Sequence, residues 1–417
     1  RDAQESRGLG DVYKRQMKRR VLSILILGAN LLNVAAQNMT SSPVSMFGLG
    51  ELSTGEGGIY SGLGGVGIAL RGENVINSAN PASLTGLLPQ YFFFDLGVSG
   101  SYLKYSQSGA SNHSLNGNLN NLAVGFRIAP RWYGAIFMAP VSSVGYPISL
   151  DQDVAGTDGS TVTSLFQGEG GLSKMGISVA HELWKGLSLG ANFSYVGGSI
   201  SQTETQGSAT ESNSSHKHTI YADFGLQYTY KLDHYRSAVA GVVYGYSQDL
   251  MQDNDHVVSS SSSSGSIEEK GKKYRTCLPQ FIGFGASYTT LRWMASIDYK
   301  FVDWSRLESS HSSISFRNQH RLMLGGSYTL GNPYSKPVRL LLGAGMGNSY
   351  ISVHDKTTTN YYLSTGLNFE FRSRSTLSLG VKYTDQLKVN SGRFKEQKLS
   401  FFLNLTFSEK TYKAKLK

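Results

Sequence analysis

The stretch Leu399–Phe407, LSFFLNLTF, carries apolar side chains at Leu399, Phe401, Leu403, Leu405 and Phe407, separated by Ser400, Phe402, Asn404 and Thr406. Successive side chains of a β-strand point to opposite faces of its sheet, so this segment has one greasy face and one largely polar face. The same period runs through Leu377–Tyr383 and Leu363–Phe371, where glycine shares the polar face. Similar segments start near Tyr91, Asn118, Trp132, Leu172, Leu187, Thr219, Arg236, Pro279, Arg292, Gln319 and Val338. The total is about fourteen, each near the ~10 residues that a membrane β-strand needs.

A soluble sandwich also alternates, and the connections discriminate between the two. Short ones (Pro130-Arg131, Trp184–Gly186, Leu232–His234, Thr289–Leu291, Gly331–Lys336, Arg372–Ser375) alternate with long ones (Ser106–Gly117, Pro147–Gly171, Ser201–Ser215, Gln248–Leu278, Asp303–Phe316, Ser349–Thr359, Gln386–Gln397). Short periplasmic turns and long outer loops are the pattern of an up-and-down membrane barrel. The expected fold is therefore all-β: a transmembrane antiparallel up-and-down β-barrel of about 14 strands over residues 91–407. Its expected place is the outer membrane of a Gram-negative bacterium, with outer-membrane lipid as solvent. A bilayer offers no partners to backbone polar groups, so such a sheet must close.

Composition agrees. The 417 residues are 40% hydrophobic and 11% aromatic but only 16% charged, with 48 glycines, where soluble domains average about 25% charged. A slightly negative mean hydropathy excludes a bundle of membrane helices. The single cysteine, Cys277, excludes an internal disulfide and a cysteine-based zinc site. The formal charge is +10. Residues 1–20 hold seven bases and three acids, and the remainder carries +6, part of it on Lys410, Lys413, Lys415 and Lys417. No basic stripe with interleaved aromatics points to nucleic acid.

Aromatic residues at segment ends (Phe92, Phe94, Tyr195, Tyr228, Tyr230, Trp293, Tyr299, Phe301, Phe371, Tyr383) read as interfacial girdles. The opposite face places Asp95, Arg127, Lys174, Asp223, Asp298, Lys300, Arg321, Arg339, Glu370, Arg372, Lys382 and Lys398 toward a lumen. Charges of both signs there predict internal pairs rather than an ion filter.

Ahead of the strands, residues 1–16 read as a leader foreign to the fold. Residues 17–36 read as a signal peptide, with Met17–Arg20 as its charged start and Val21–Leu32 as its apolar core. Residues 37–90 are glycine-rich and lack the strand period, which predicts a compact irregular element. Residues 408–417 form a basic tail.

Within that element, Leu63-Gly64-Gly65-Val66-Gly67-Ile68-Ala69 is followed by Asn80-Pro81-Ala82. Together with the strand count, this resembles the hatch of the FadL/TodX family of outer-membrane hydrophobic-compound transporters. The resemblance implies an N-terminal hatch in the lumen of a fourteen-strand barrel. It also implies passive uptake of hydrophobic small molecules, of the long-chain fatty acid or hydrocarbon class, with lateral exit beside a kinked third strand. The third segment holds Pro140 and Gly145; proline cannot donate to a ladder and marks a bulge or an interrupted edge. Asn80, Pro81, Ala82, Pro140 and Gly145 are accordingly the candidate ligand-binding and gating residues. The polar outer segments, including the serine run 259–264, and the basic tail favour an alternative. On that reading the chain is a non-transport barrel acting as a scaffold or component of a surface-protein export system, with a periplasmic or surface-protein partner.

Four competing motifs fail on context. Gly62–Gly67 fits G-x-G-x-x-G but lacks a preceding strand and an acid ~20 residues on. Gly186–Gly190 fits G-x-S-x-G but lies inside a period-two strand. His216 and His218 share a face without a third ligand, and Asp151, Asp153 and Asp158 do not match an EF-hand loop. The reading is of a protein that is not an enzyme and carries no catalytic residue, cofactor or metal.

Overall fold

The computed structural model describes residues 40–53, 58–107, 110–153, 161–261, 266–271, 276–309, 313–334, 337–387 and 395–411. The leader, the signal peptide and the lysines beyond residue 411 lie outside the described residues.

The wall consists of β1 (Tyr91–Gln107), β2 (Ala110–Ala129), β3 (Trp132–Asp153), β4 (Thr161–Trp184), β5 (Leu187–Gln206), β6 (Ala209–Lys231) and β7 (Ser237–Gly245). It continues with β8 (Gln280–Thr289), β9 (Trp293–Asp303), β10 (Gln319–Leu330), β11 (Val338–Val353), β12 (Lys356–Glu370), β13 (Thr376–Gln386) and β14 (Lys395–Lys410). Each strand pairs antiparallel with the next, and β14 pairs with β1 from Tyr91–Lys410 to Ser106–Lys395, which closes the fourteen-strand barrel. No helix among the described residues is long and apolar enough to cross a membrane.

The closing seam has its own lock. Asp95 of β1 is 1% exposed. It accepts hydrogen bonds from Asn121 of β2, from Asn404 of β14 at 2.8 Å and from Thr406 of β14 at 2.6 Å. One carboxylate thus joins the first two strands to the last. Bonds to a charged acceptor are worth about 1.5–3 kcal/mol each.

The outward face shows what alternation predicted. Ile136, Ile177, Phe193, Ile220, Leu324, Leu363, Phe401 and Leu403 are all exposed on the wall, as lipid-facing side chains must be. Tyr195, Tyr228, Tyr230, Trp293, Tyr299 and Phe371 are exposed with them.

Two features differ from the sequence reading. Much of each long connection is strand: the β3–β4 hairpin pairs as far out as Asp153–Thr161, and Met251–Ser260 pairs with the outer half of β6. Ser266–Lys270 adds one more strand to that projection. These segments are rich in serine and threonine, which suit a pleated surface without the apolar alternation that lipid contact imposes. The last strand also runs past Phe407, because Ser408, Glu409 and Lys410 pair with Phe93, Phe92 and Tyr91.

Candidate functional site

The lumen is where this barrel departs from an empty ring, and the inward-facing glycines show why it can be filled. A Cβ added at Gly125 (β2), Gly190 (β5), Gly225 (β6), Gly241 (β7), Gly285 (β8), Gly325 (β10) or Gly343 (β11) would lie 3.1 Å or less from an atom of residues 63–82. Glycine in a strand marks a place where another backbone comes close. Three pairs sit directly opposite each other in the ladder: Gly190–Gly225, Gly241–Gly285 and Gly325–Gly343. The belt reaches strands on opposite sides of a closed sheet, so the segment it touches lies within the ring.

That segment is bonded as well as packed. Asp298 of β9 accepts from the Gly67 N–H at 2.6 Å and the Ile68 N–H at 2.7 Å. Gln227 of β6 donates to the Ile68 carbonyl at 2.9 Å, and Ser287 of β8 to the Ala69 carbonyl at 2.8 Å. The Gly64 N–H donates to Ser364 at 3.0 Å, and the Tyr362 hydroxyl donates to the Gly64 carbonyl at 2.8 Å. Gly64 itself has φ of +69° and lies against the backbone of β10 and β11. Leu63, Val66, Leu84 and Leu87 are almost fully buried around these bonds.

Asn80-Pro81-Ala82 opens the 3-10 helix Pro81–Gly86. The Asn80 side chain accepts from the Ala82 N–H at 3.0 Å and donates to the Ile68 carbonyl at 2.8 Å. Pro81 fills the first helical position, where a missing N–H costs nothing. Asn80 is 0% exposed and seated on Gly225, while Ala82 is seated on Gly190. The motif is therefore a cap that fixes the segment to β5 and β6.

Pro140 and Gly145 lie elsewhere, on the outer half of β3. The register against β4 shifts between Pro140 and Ser142, a bulge at the proline. Pairing of β3 with β2 extends only from Ala129–Trp132 to Leu122–Met138. Outward of that point β2 stays with β1 and β3 with β4, and the wall splits. Glu51–Leu52 forms a short strand against Ser143 and Ser142 on the split edge of β3, and the Ser53 N–H donates to the Val141 carbonyl at 2.9 Å. The Thr40 carbonyl occupies the space of a Gly145 Cβ, and Ser45 exchanges hydrogen bonds with the Gly145 backbone at 3.0 and 3.1 Å.

Lys398 of β14 holds this inner strand by donating to Glu51 at 2.7 Å, and Thr40 donates to the other carboxylate oxygen. Enclosure alone would raise the Glu51 carboxyl, but Lys398 and these hydrogen bonds outweigh it and hold it below the ordinary carboxylate range. A lowered folded-state value stabilises above the unfolded pKa and is lost as pH falls through the folded value. The attachment of residues 40–53 is accordingly expected to be full at neutral pH and to loosen as acid titrates Glu51 below about pH 4.5. Lys398→Met moves that loosening to higher pH, read as proteolysis between residues 40 and 58; a pH profile unchanged by the substitution contradicts it.

The outer lumen is filled in turn. Leu49, Leu172, Val196, Tyr221, Trp304 and Tyr350 form one buried apolar cluster. The Trp304 and Tyr350 rings stack at 4.3 Å, and the Tyr350 hydroxyl donates to the Gly50 carbonyl at 2.7 Å. A polar layer separates the two fillings. Asn192 donates to Asp223 at 2.7 Å, Lys300 sits 3.9 Å over the Phe281 ring, and Lys174 sits 5.7 Å from the Phe137 ring. At the foot of the β2–β3 split, Asn77, Leu84, Leu122, Phe137 and Met138 enclose a void of about 20 Å³.

The interior charges divide by depth. Asp95, Asp298 and Lys398 bond inward, and Glu370 pairs with Arg339 at 3.4 Å. Arg127 and Arg372 are at the exposed rim instead, because β2 and β12 are ending there. His216 is bonded to Ser199, and the His218 ring packs on Tyr195. Among the described residues no group of three potential metal ligands occurs.

A closed fourteen-strand wall with apolar side chains on its outer face, and residues 63–82 packed on its inward glycines, has the architecture of a membrane β-barrel. The toluene transporter TodX of Pseudomonas putida superimposes with a TM-score of 0.59 at 16% identity over 87% of this chain and 100% of that one. A Pseudomonas aeruginosa FadL homologue gives 0.57 at 12% over 87% and 99%, and the toluene transporter TbuX of Ralstonia pickettii 0.53 at 14% over 86% and 99%. At such identities the likeness is one of fold. No curated protein is similar to it in sequence. Residues 17–416 match the BamG family model, and the chain belongs to the BamG family.

Proposed function

We propose that this protein is a sealed FadL-type barrel that serves as a docking subunit of a surface-protein export system, with residues 58–88 as a hatch that keeps the lumen shut. The observation that supports this most is the occupation of the lumen by the chain itself. Leu49, Trp304 and Tyr350 fill the outer half, where a greasy cargo would have to enter. The void at the split holds about one water, against ~300–1,000 Å³ for a small-molecule site. The polar strands projecting beyond the barrel offer hydrogen-bonding surface rather than an apolar capture groove. Cells depleted of the protein are expected to lose surface display of other outer-membrane proteins while taking up oleate and toluene at the normal rate. Normal display with impaired uptake would overturn the reading.

The second reading is passive uptake of a hydrophobic small molecule, with lateral exit at the β2–β3 split. It is favoured by that split and by the Pro140 bulge. On this reading Asn80, Pro81, Ala82, Pro140 and Gly145 gate the path, and Pro140→Val, which restores a strand donor, lowers uptake severalfold without affecting assembly. Unchanged uptake in Pro140→Val and in Asn80→Ala removes it.

A further inference from the structure

Two turns at the periplasmic end, at Leu232–Arg236 and at Gly331–Tyr334, come together across the turn between them. Tyr235 and Tyr334 are 54% and 71% exposed, and their side chains approach each other closely enough to interact. Each ring is presented by an Asx turn: Asp233 accepts from the Tyr235 N–H at 2.8 Å, and Asn332 from the Tyr334 N–H at 2.9 Å. Asp233 also accepts from Arg236 at 2.5 Å, and Arg292 of the middle turn donates to the Gly331 carbonyl at 3.2 Å. Leu232 and Leu291 are exposed between them.

Tyrosine, arginine and leucine fixed in place by backbone hydrogen bonds make a platform of the kind that carries interface energy at low ordering cost. We propose that this platform is the docking surface for a periplasm-facing protein, through a segment with acidic side chains flanking apolar ones. The inference rests on the docking-subunit reading and adds the side of the membrane and the chemistry of the partner. Charge complementarity selects an acidic segment: Lys231, Arg236 and Arg292 are exposed here with Asp233 as the one acid among the described turn residues, and the Arg236–Asp233 pair leaves Lys231 and Arg292 as the excess positive charge. Lipid headgroups are the less fitting occupant. They would meet the whole rim, whereas this platform occupies one arc, from β6 to β11.

The test places the photo-reactive residue benzoylphenylalanine at Tyr334 in the full-length protein in its native membrane, with the same residue at Arg131 on another turn as the control. The expected result is a cross-link from position 334 to one periplasm-exposed protein, through a peptide with excess Asp and Glu. Its yield should fall at least tenfold in Arg236→Glu/Arg292→Glu and severalfold in 0.5 M salt with the unaltered arginines. Cross-linking to lipid only, or a yield insensitive to both charge reversal and salt, overturns the inference. If a stoichiometric partner still co-purifies in that case, the docking-subunit reading stands and only this surface is wrong; if none co-purifies with the unaltered protein, both fall.

Discussion

Asp298→Leu is expected to free the lumenal segment while leaving the barrel assembled. The substitution keeps the volume and removes the acceptor for the Gly67 and Ile68 N–H groups, which lie 2.6 and 2.7 Å from it in a buried site. An orphaned buried donor costs about 1–3 kcal/mol, and here there are two on adjacent residues. The wall does not depend on that carboxylate, since Asp298 pairs through its backbone with Gly285 and Met323. In planar bilayers the unaltered protein should show no steady ion conductance, and Asp298→Leu should show open pores. Trypsin should then cut after Arg71, which in the intact protein donates to Ser188 at 3.1 Å. Asp298→Asn keeps one acceptor oxygen and should fall between the two. Equal conductance in all three proteins would show that this anchor does not hold the lumenal segment.

A large steric effect is expected at Gly343. A Cβ there would lie 2.0 Å from the Gly64 nitrogen and 2.4 Å from the Leu63 carbonyl carbon. Both are backbone atoms, so no rotamer change relieves the clash, and overpacking of about 1–3 kcal/mol or more follows. Gly343→Val should lower the temperature at which the folded band on a detergent gel converts to the unfolded one, and should expose the lumenal segment to protease. Gly117→Val is the matched control: it is also a barrel-strand glycine, and nothing lies within 4 Å of its added Cβ. If both substitutions shift the transition alike, the loss is one of strand glycine in general and not of the lumenal contact.

These expectations mark where the sequence was legible. The barrel was readable at Leu399–Phe407 because lipid on one side and a polar lumen on the other force a period of two on the residues between them. Closure was readable only as a necessity; its means, Asp95 shared by β1, β2 and β14, depends on side chains more than 300 residues apart. Asp298 was visible as an inward charge, and a charged partner was the natural expectation. Its actual partners are two backbone N–H groups, which no side-chain pattern reveals. The glycine belt was present as glycines on the polar face of several strands, yet what each one faced awaited the register. Asn80-Pro81-Ala82 stood out by resemblance alone; that Asn80 caps a 3-10 helix with Pro81 in its first position came from the structure. Pro140 was legible as a bulge or an interrupted edge, and the register against β4 shifts there. Glu51–Leu52 was not legible at all, since two residues carry no period. The outer hairpins read as loops because serine and threonine strands above the membrane need no apolar face.

The placement of residues 58–88 inside the ring is tested most directly by a cross-link to the wall. Thr85 and Ser188 of β5 are buried with their hydroxyl oxygens 2.7 Å apart. In a Cys277→Ser background, Thr85→Cys/Ser188→Cys should form a disulfide in nearly every molecule, join the two fragments after cleavage between them, and leave neither thiol reactive toward maleimide. Two free, independently labelled thiols in a correctly assembled barrel would contradict a filled lumen.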